Sequence, residues 1–272
     1  FALTGDHKAW SIPYEAHFYE ALYEASPVSK LGWVSTPLTM ETNDGLFLSI
    51  HEANLTDYAA MNLIPKEGSM TLKANLTPWS TGEKVFMKAP GVTPWRTMIV
   101  AESAGDLLLS RLMLNLNEPC RIQDTSWIQP GRYIGIWWTY HMHKHTWHTA
   151  PRHGATTANA LRHIDFAARH GFQGVLIEGW NKGWDTYHFN FTEPYPDFDL
   201  KQITDYAASK GVTLIGHHET DGWVSDYENQ LEAAFNLYKD HGVQIVKTGY
   251  VGKLLDGKER HSSQFGVRHY RK

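Results

Sequence analysis

Two spacings of apolar residues divide this chain. Up to about Ile128, apolar and polar residues alternate in short runs, such as 45–50, 69–74 and 97–101, with turn residues at Ser80-Thr81-Gly82 and Pro90-Gly91 between them. Alternation with period two turns one face of a strand to a core and the other to solvent, so residues 1–128 are expected to form an antiparallel β-sandwich with a linker. Residues 18–25 carry a helix-like spacing in a stretch short enough to be a connector. After Gln129-Pro130-Gly131 the pattern becomes strand, loop, helix, repeated. Strands are expected over 133–138, 174–177, 212–215 and 243–246. Amphipathic helices are expected over 158–170, 200–210 and 225–241, stopping at Gly171, Gly211 and Gly242, where a left-handed C-cap favours glycine.

Four βα repeats with short returns imply parallel strands, which assigns 129–272 to the first half of a (β/α)₈ TIM-type barrel. A whole barrel needs ~250 residues. The repeats here occupy much less, so the expectation is an apparently truncated barrel. A doubly wound sheet is the competing architecture, but it normally carries a glycine-rich phosphate loop after its first strand, and Trp137-Trp138-Thr139-Tyr140 offers nothing of that kind.

Barrel enzymes collect their chemistry where strands end. The first strand runs into Trp137, Trp138 and Tyr140 and then a loop carrying His141, His143, His145 and His148. Closely spaced imidazoles suit a metal, yet Lys144 lies among them without a carboxylate or thiolate, which fits a solvated loop as well. The second strand ends in Glu178-Gly179-Trp180-Asn181, where a carboxylate beside an indole suits sugar hydroxyls; pairing with a lysine or capping a helix would explain Glu178 equally. The third strand ends in His217-His218-Glu219, a carboxylate placed to act as a general base with imidazoles beside it. The fourth ends in Lys247-Thr248-Gly249-Tyr250, a cation with no carboxylate.

Composition narrows the partners. The net charge of −4 and the lack of a Lys/Arg cluster provide no field for phosphate backbones, which argues against nucleic acid. No apolar run approaches the ~20 residues of a membrane span. Cys120 is the only cysteine, so neither an intrachain disulfide nor a cysteine zinc site is available. With 11 Trp and 13 Tyr, the chain holds more rings than a core of this size requires. Such rings can pack on the C–H faces of pyranoses in a sugar-binding cleft, while filling core and interface space accounts for most of them. Oligomeric state is not legible.

At Glu52-Ala53-Asn54-Leu55-Thr56-Asp57-Tyr58, Glu178-Gly179-Trp180-Asn181, 194–199, His217-His218-Glu219-Thr220 and 246–252, the chain resembles glycoside hydrolase family 97, and within it the inverting α-glucosidases of bacterial starch-utilisation systems. The resemblance implies a β-sandwich packed on a (β/α)₈ barrel, an active-site calcium ion, and hydrolysis of α-glucosidic bonds of maltose and maltooligosaccharides from the non-reducing end. It makes Glu219 the base, Glu52 a calcium ligand, and Glu178, His217, Trp138, Trp180 and Lys247 substrate contacts. Retaining members carry an aspartate nucleophile where Gly249 stands, and their absence of a glycine there separates them from this chain; a direct attack by water then needs carboxyl groups ~6.5–9.5 Å apart. The family's general acid and further calcium carboxylates lie on later strands, so the sequence is expected to be a segment of a longer enzyme, inactive alone. Family members are commonly periplasmic or secreted. A retaining α-galactosidase of the same family and a non-catalytic carbohydrate-binding protein are the alternatives.

Overall fold

The computed structural model describes residues 1–14, 21–249 and 252–272, and these fall into two compact units, Phe1–Gln123 with Lys253–Lys272, and Asp124–Gly252. In the first unit, alternation becomes two antiparallel sheets. The strands are β1 (Lys8–Ser11), β2 (Glu24–Pro27), β3 (Val34–Ser35), β4 (Leu38–Glu41), β5 (Phe47–Ala53), β6 (Met61–Pro65), β7 (Leu72–Leu76) and β8 (Trp95–Ala101). One sheet has the order β2-β1-β4-β5-β8 and the other β3-β6-β7. Ala9, Leu38, Met40 and Ile50 of the larger sheet share a buried cluster with Val34, Leu63 and Leu72 of the smaller, which makes the pair a face-to-face sandwich. Each such Leu or Ile, fully removed from water, contributes roughly 1.5–3 kcal/mol. Two short helices follow, α1 (Ala104–Leu109) and α2 (Leu112–Asn115). The helix-like stretch expected at 18–25 lies partly outside the described residues, and its C-terminal end belongs to strand β2.

The second unit contains β9 (Tyr133–Gly135), α3 (Trp137–His141), α4 (Thr157–His170), β10 (Gly174–Leu176), α5 (Leu200–Ser209), β11 (Thr213–Glu219), α6 (Val224–Asp240) and β12 (Ile245–Gly249). Its four strands are parallel, in the order β12-β11-β10-β9. Consecutive strands are therefore neighbours throughout, as they are around a TIM-type barrel, and the order never reverses as it must in a doubly wound sheet. Ile136, Val175, Ile177 and Leu214 from the sheet side pack with Ile164, Ala167, Leu200, Ile203 and Tyr238 from the helices in one buried cluster. Gly171 ends α4 at φ 71°, and Gly211 and Gly242 follow the next two helices at φ 67° and 71°, as their sequence positions predict.

Two expectations shift. The first barrel strand is only three residues long, and Trp137 and Trp138 lie on the helical turn α3 instead of extending it. The third is longer than alternation showed, because buried His217, His218 and Glu219 complete β11 through pairing with β12. The last segment, with helix α7 (Gln264–Tyr270), clusters with the sandwich unit and not with the parallel sheet. Buried Gln264 explains this, accepting from the Phe86 N–H at 2.9 Å and Trp79 Nε1 at 3.2 Å while donating to Asp57 Oδ1 at 2.8 Å. Among the described residues no helix is long and apolar enough to cross a membrane.

Candidate active site

Strand pleating sorts the signature of β11. Residues 217 and 219 point to one side of the sheet and 218 to the other. His218 packs among the rings behind the sheet, with Nδ1 2.9 Å from the Tyr227 hydroxyl and its ring stacked 4.8 Å from Tyr238. Burial pushes its imidazole down to about 4, so it is a neutral core side chain at neutral pH. The parallel register places His217 opposite Lys247 and Glu219 opposite Gly249. Those four positions therefore share one face of the sheet at its C-terminal end.

Glu178 joins them from the end of β10. Its carboxylate is almost fully buried, and Oε1 accepts from Lys247 Nζ at 2.8 Å. Burial pushes the Glu178 carboxyl up, against the opposing pull of that ammonium. His217 Nε2 stands 3.7 Å from the same oxygen. Its imidazole is driven down to about 3 by burial, with the Lys247 charge adding to the effect, so His217 is neutral beside Glu178. Glu178 Oε2 and His217 Nδ1 are buried with no hydrogen-bond partner among the described residues. Leaving such atoms unmet costs roughly 1–3 kcal/mol each, and a polyhydroxylated ligand is the kind of partner that would meet them.

Glu219 is fixed by its own chain. Oε1 accepts the backbone N–H groups of Thr220 at 2.9 Å and Asp221 at 2.8 Å, which locks the carboxylate against the turn that follows β11. A methyl group added at Gly249 would overlap Glu219 Oε2. Position 249 and the Glu219 carboxylate thus compete for one volume, and only glycine lets Glu219 lie there.

The other predicted residues separate. Trp180 is 2% exposed, lies within the main core cluster and donates its Nε1–H to the His217 carbonyl at 2.8 Å. That leaves it no open ring face for a sugar and makes it a prop beneath His217. Trp138 is 68% exposed on α3 and meets Trp137 edge-on at 5.0 Å. In the loop beyond, His141 packs its ring on Trp137 at 3.9 Å and His145 Nδ1 lies 2.9 Å from Thr139 Oγ1. Glu52 belongs to the other unit. Its Oε1 accepts from the Met61 N–H at 2.8 Å and its Oε2 forms an ion pair with Arg96. Burial raises the Glu52 carboxyl, and those two donors oppose the rise.

Calcium takes six to eight oxygen ligands. Both Glu52 oxygens are already engaged, and the described residues contain no group of three His, Cys, Asp or Glu side chains placed to hold a metal ion. The described residues do not form a calcium cage, and no chemical step here passes through a metal.

Sequence patterning gave no sign of several supporting groups. Tyr238 holds His217 by both backbone groups, its hydroxyl accepting from the His217 N–H at 2.9 Å and donating to the His217 carbonyl at 3.0 Å. Trp184 stacks on His217 at 6.0 Å and on Trp147 at 4.6 Å, and Trp147 stacks on Tyr140 at 3.8 Å. Their residue types read as ordinary core, and only the packing shows what they brace.

Two family models match this chain, Glycosyl-hydrolase 97 N-terminal over residues 1–119 and Glycoside hydrolase 97 over residues 137–272. The chain belongs to glycoside hydrolase family 97. A solved family 97 enzyme from Pseudoalteromonas sp. strain K8, in complex with acarbose, is 45% identical with a TM-score of 0.93, covering 99% of this chain and 44% of that one. Among curated relatives, a retaining alpha-galactosidase of Bacteroides thetaiotaomicron is 27% identical over 86% of this chain and 37% of its own length. A probable retaining alpha-galactosidase of Streptomyces bingchenggensis is 27% identical over 81% of this chain and 33% of its own. The chain thus spans less than half the length of each relative. A beta-arabinopyranosidase, 17% identical with a TM-score of 0.63, shares the fold.

Proposed function

We propose that this chain carries the base-bearing part of a glycoside hydrolase that cleaves α-glucosidic bonds with inversion. The observation that carries the reading is the exclusion between Gly249 and Glu219. A covalent route needs a carboxylate within reach of the anomeric carbon, whereas here the place at the end of β12 is occupied by the neighbouring strand's glutamate. In the proposed reaction, Glu219 takes a proton from water as its oxygen attacks the anomeric carbon. The glycosidic C–O bond breaks, and the leaving oxygen receives a proton from a general acid outside this segment. Glu178, with its open Oε2, and His217, with its open Nδ1, hold sugar hydroxyls, while Lys247 opposes the rise that burial imposes on the Glu178 carboxyl.

The Pseudoalteromonas neighbour is described in complex with acarbose and, in a second structure, with panose, which supports a glucose-based oligosaccharide for this chain. The names of the curated relatives favour a second reading, a retaining α-galactosidase. Proton NMR of the first-formed sugar from the full-length enzyme separates the two. β-Glucose released from an α-glucoside supports inversion, and α-galactose released first from an α-galactoside overturns it. Calcium binding and a periplasmic or secreted location enter this proposal through family likeness alone. The calcium ligands would have to come from outside the described residues, and loss of activity on chelation, restored by calcium, is the check.

A further inference from the structure

Glu178 owes its aim to a turn that two buried side chains grip. Gly179 follows it at φ 80°, a conformation that disfavours any side chain, and a Cβ there would lie 2.9 Å from the Trp147 carbonyl oxygen and 3.0 Å from the Tyr140 hydroxyl. Both peptide carbonyls of the turn are held. The Tyr140 hydroxyl donates to the Glu178 carbonyl at 2.7 Å, and His153 Nε2 contacts the Gly179 carbonyl at 3.1 Å. The other ring nitrogen of His153, Nδ1, lies 2.8 Å from Asp197 Oδ2.

The two partners of His153 set a condition on the ring. A carbonyl oxygen and a carboxylate are both acceptors, and neutral imidazole has one N–H to give. Satisfying both contacts takes a proton on each nitrogen, with Asp197 supplying the counter-charge. The His153 side chain is 1% exposed and that of Asp197 32%, so the ring is enclosed while its counter-ion touches water. Thr149 Oγ1 also donates to Asp197, at 3.4 Å to Oδ1, and Tyr195 meets the ring edge-on at 5.2 Å.

We propose that His153 is a positioning residue for Glu178: as an imidazolium clamped between Asp197 and the Gly179 carbonyl, it fixes the turn that presents the Glu178 carboxylate to a bound sugar. The role in sugar binding rests on the proposed function, while the clamp itself does not.

The test uses the full-length enzyme with acarbose as the probe. His153→Gln keeps an N–H within reach of the Gly179 carbonyl, whereas His153→Leu keeps bulk without a donor. The expected result is acarbose affinity lowered about tenfold or more by His153→Leu, with KM raised more than kcat falls, and His153→Gln within about threefold of wild type. Equal losses in the two variants would overturn the proposal. If His153→Leu does not fold, the wild type decides: ¹⁵N chemical shifts of histidine-labelled protein at pH 7 should show both His153 nitrogens protonated, and a bare nitrogen overturns the clamp. Should wild type neither bind acarbose nor hydrolyse α-glucosides, the functional reading fails, and the ¹⁵N measurement still tests the clamp.

Discussion

Two buried glutamates, one in each unit, sit in similar surroundings and differ in how far their oxygens are met. Glu52 in the sandwich and Glu178 beyond β10 are both almost fully removed from water, and burial raises both carboxyls. Glu52 has a donor on each oxygen, Met61 N–H and Arg96. Glu178 has Lys247 on one oxygen and no partner among the described residues on the other. Burial alone does not mark a ligand site. The unmet oxygen of Glu178 separates it from Glu52, and its place beside His217 and Lys247 at the strand ends is what suits a ligand.

The largest effect expected on the parallel-sheet side comes from Glu219→Gln in the full-length enzyme. The amide cannot take a proton from water, and hydrolysis should fall by ~10²–10⁴-fold with the unfolding midpoint little changed. Steady-state kinetics with a maltooligosaccharide checks this, and retention of full activity would remove Glu219 from the role of base. Gly249→Ala approaches the same carboxylate from the next strand. Its methyl group would displace Glu219 Oε2, so activity should drop by ~10²-fold, with a crystal structure showing the carboxylate moved.

Acid should weaken the parallel-sheet unit through its buried histidines. His217 and His218 are depressed to about 3 and about 4 in the folded state, from 6.5 when exposed. The unfolded chain therefore binds more protons at mildly acidic pH. This contribution to stability is fully present above about 6.5 and is lost progressively as pH falls from there to the folded values, by roughly 2 kcal/mol per histidine at pH 5. Denaturant midpoints of wild type and His218→Phe across pH 5 to 8 test it, since the variant should depend less steeply on pH.

On the sandwich side, Glu52→Gln should act on stability and not on turnover. It removes the charge opposite Arg96 while leaving an acceptor for Met61 N–H, costing about 1–3 kcal/mol in urea unfolding. A loss of calcium affinity without a loss of stability would instead make Glu52 a metal ligand. The smallest effect belongs to Lys247→Met. Without the ammonium, burial raises Glu178 further, so the acid limb of sugar binding should move to higher pH, with KM up by about tenfold. An unshifted acid limb in the pH profile of kcat/KM would separate Glu178 from binding.

The chain's own pattern carried the division into alternating strands and βα repeats, the glycine stops of α4, α5 and α6, and Glu219 at a strand end. These are local properties: side-chain period and backbone permissiveness are written within a few residues of where they act. Sequence placed Glu178, His217 and Lys247 at three separate strand ends, and the structure brings them within 2.8 and 3.7 Å of one another around Glu178 Oε1. What only the tertiary structure decided was which equivalents differ. His218 is as much a histidine as His217, yet pleating sends it into the helices; Trp180 reads like a sugar platform, yet its ring fills the core. His153 and Asp197 lie 44 positions apart and meet only because the loops after β9 and β10 converge on Gly179. Residue type and spacing set which chemistry the chain could hold, and packing across strands determined which of those groups kept an open valence.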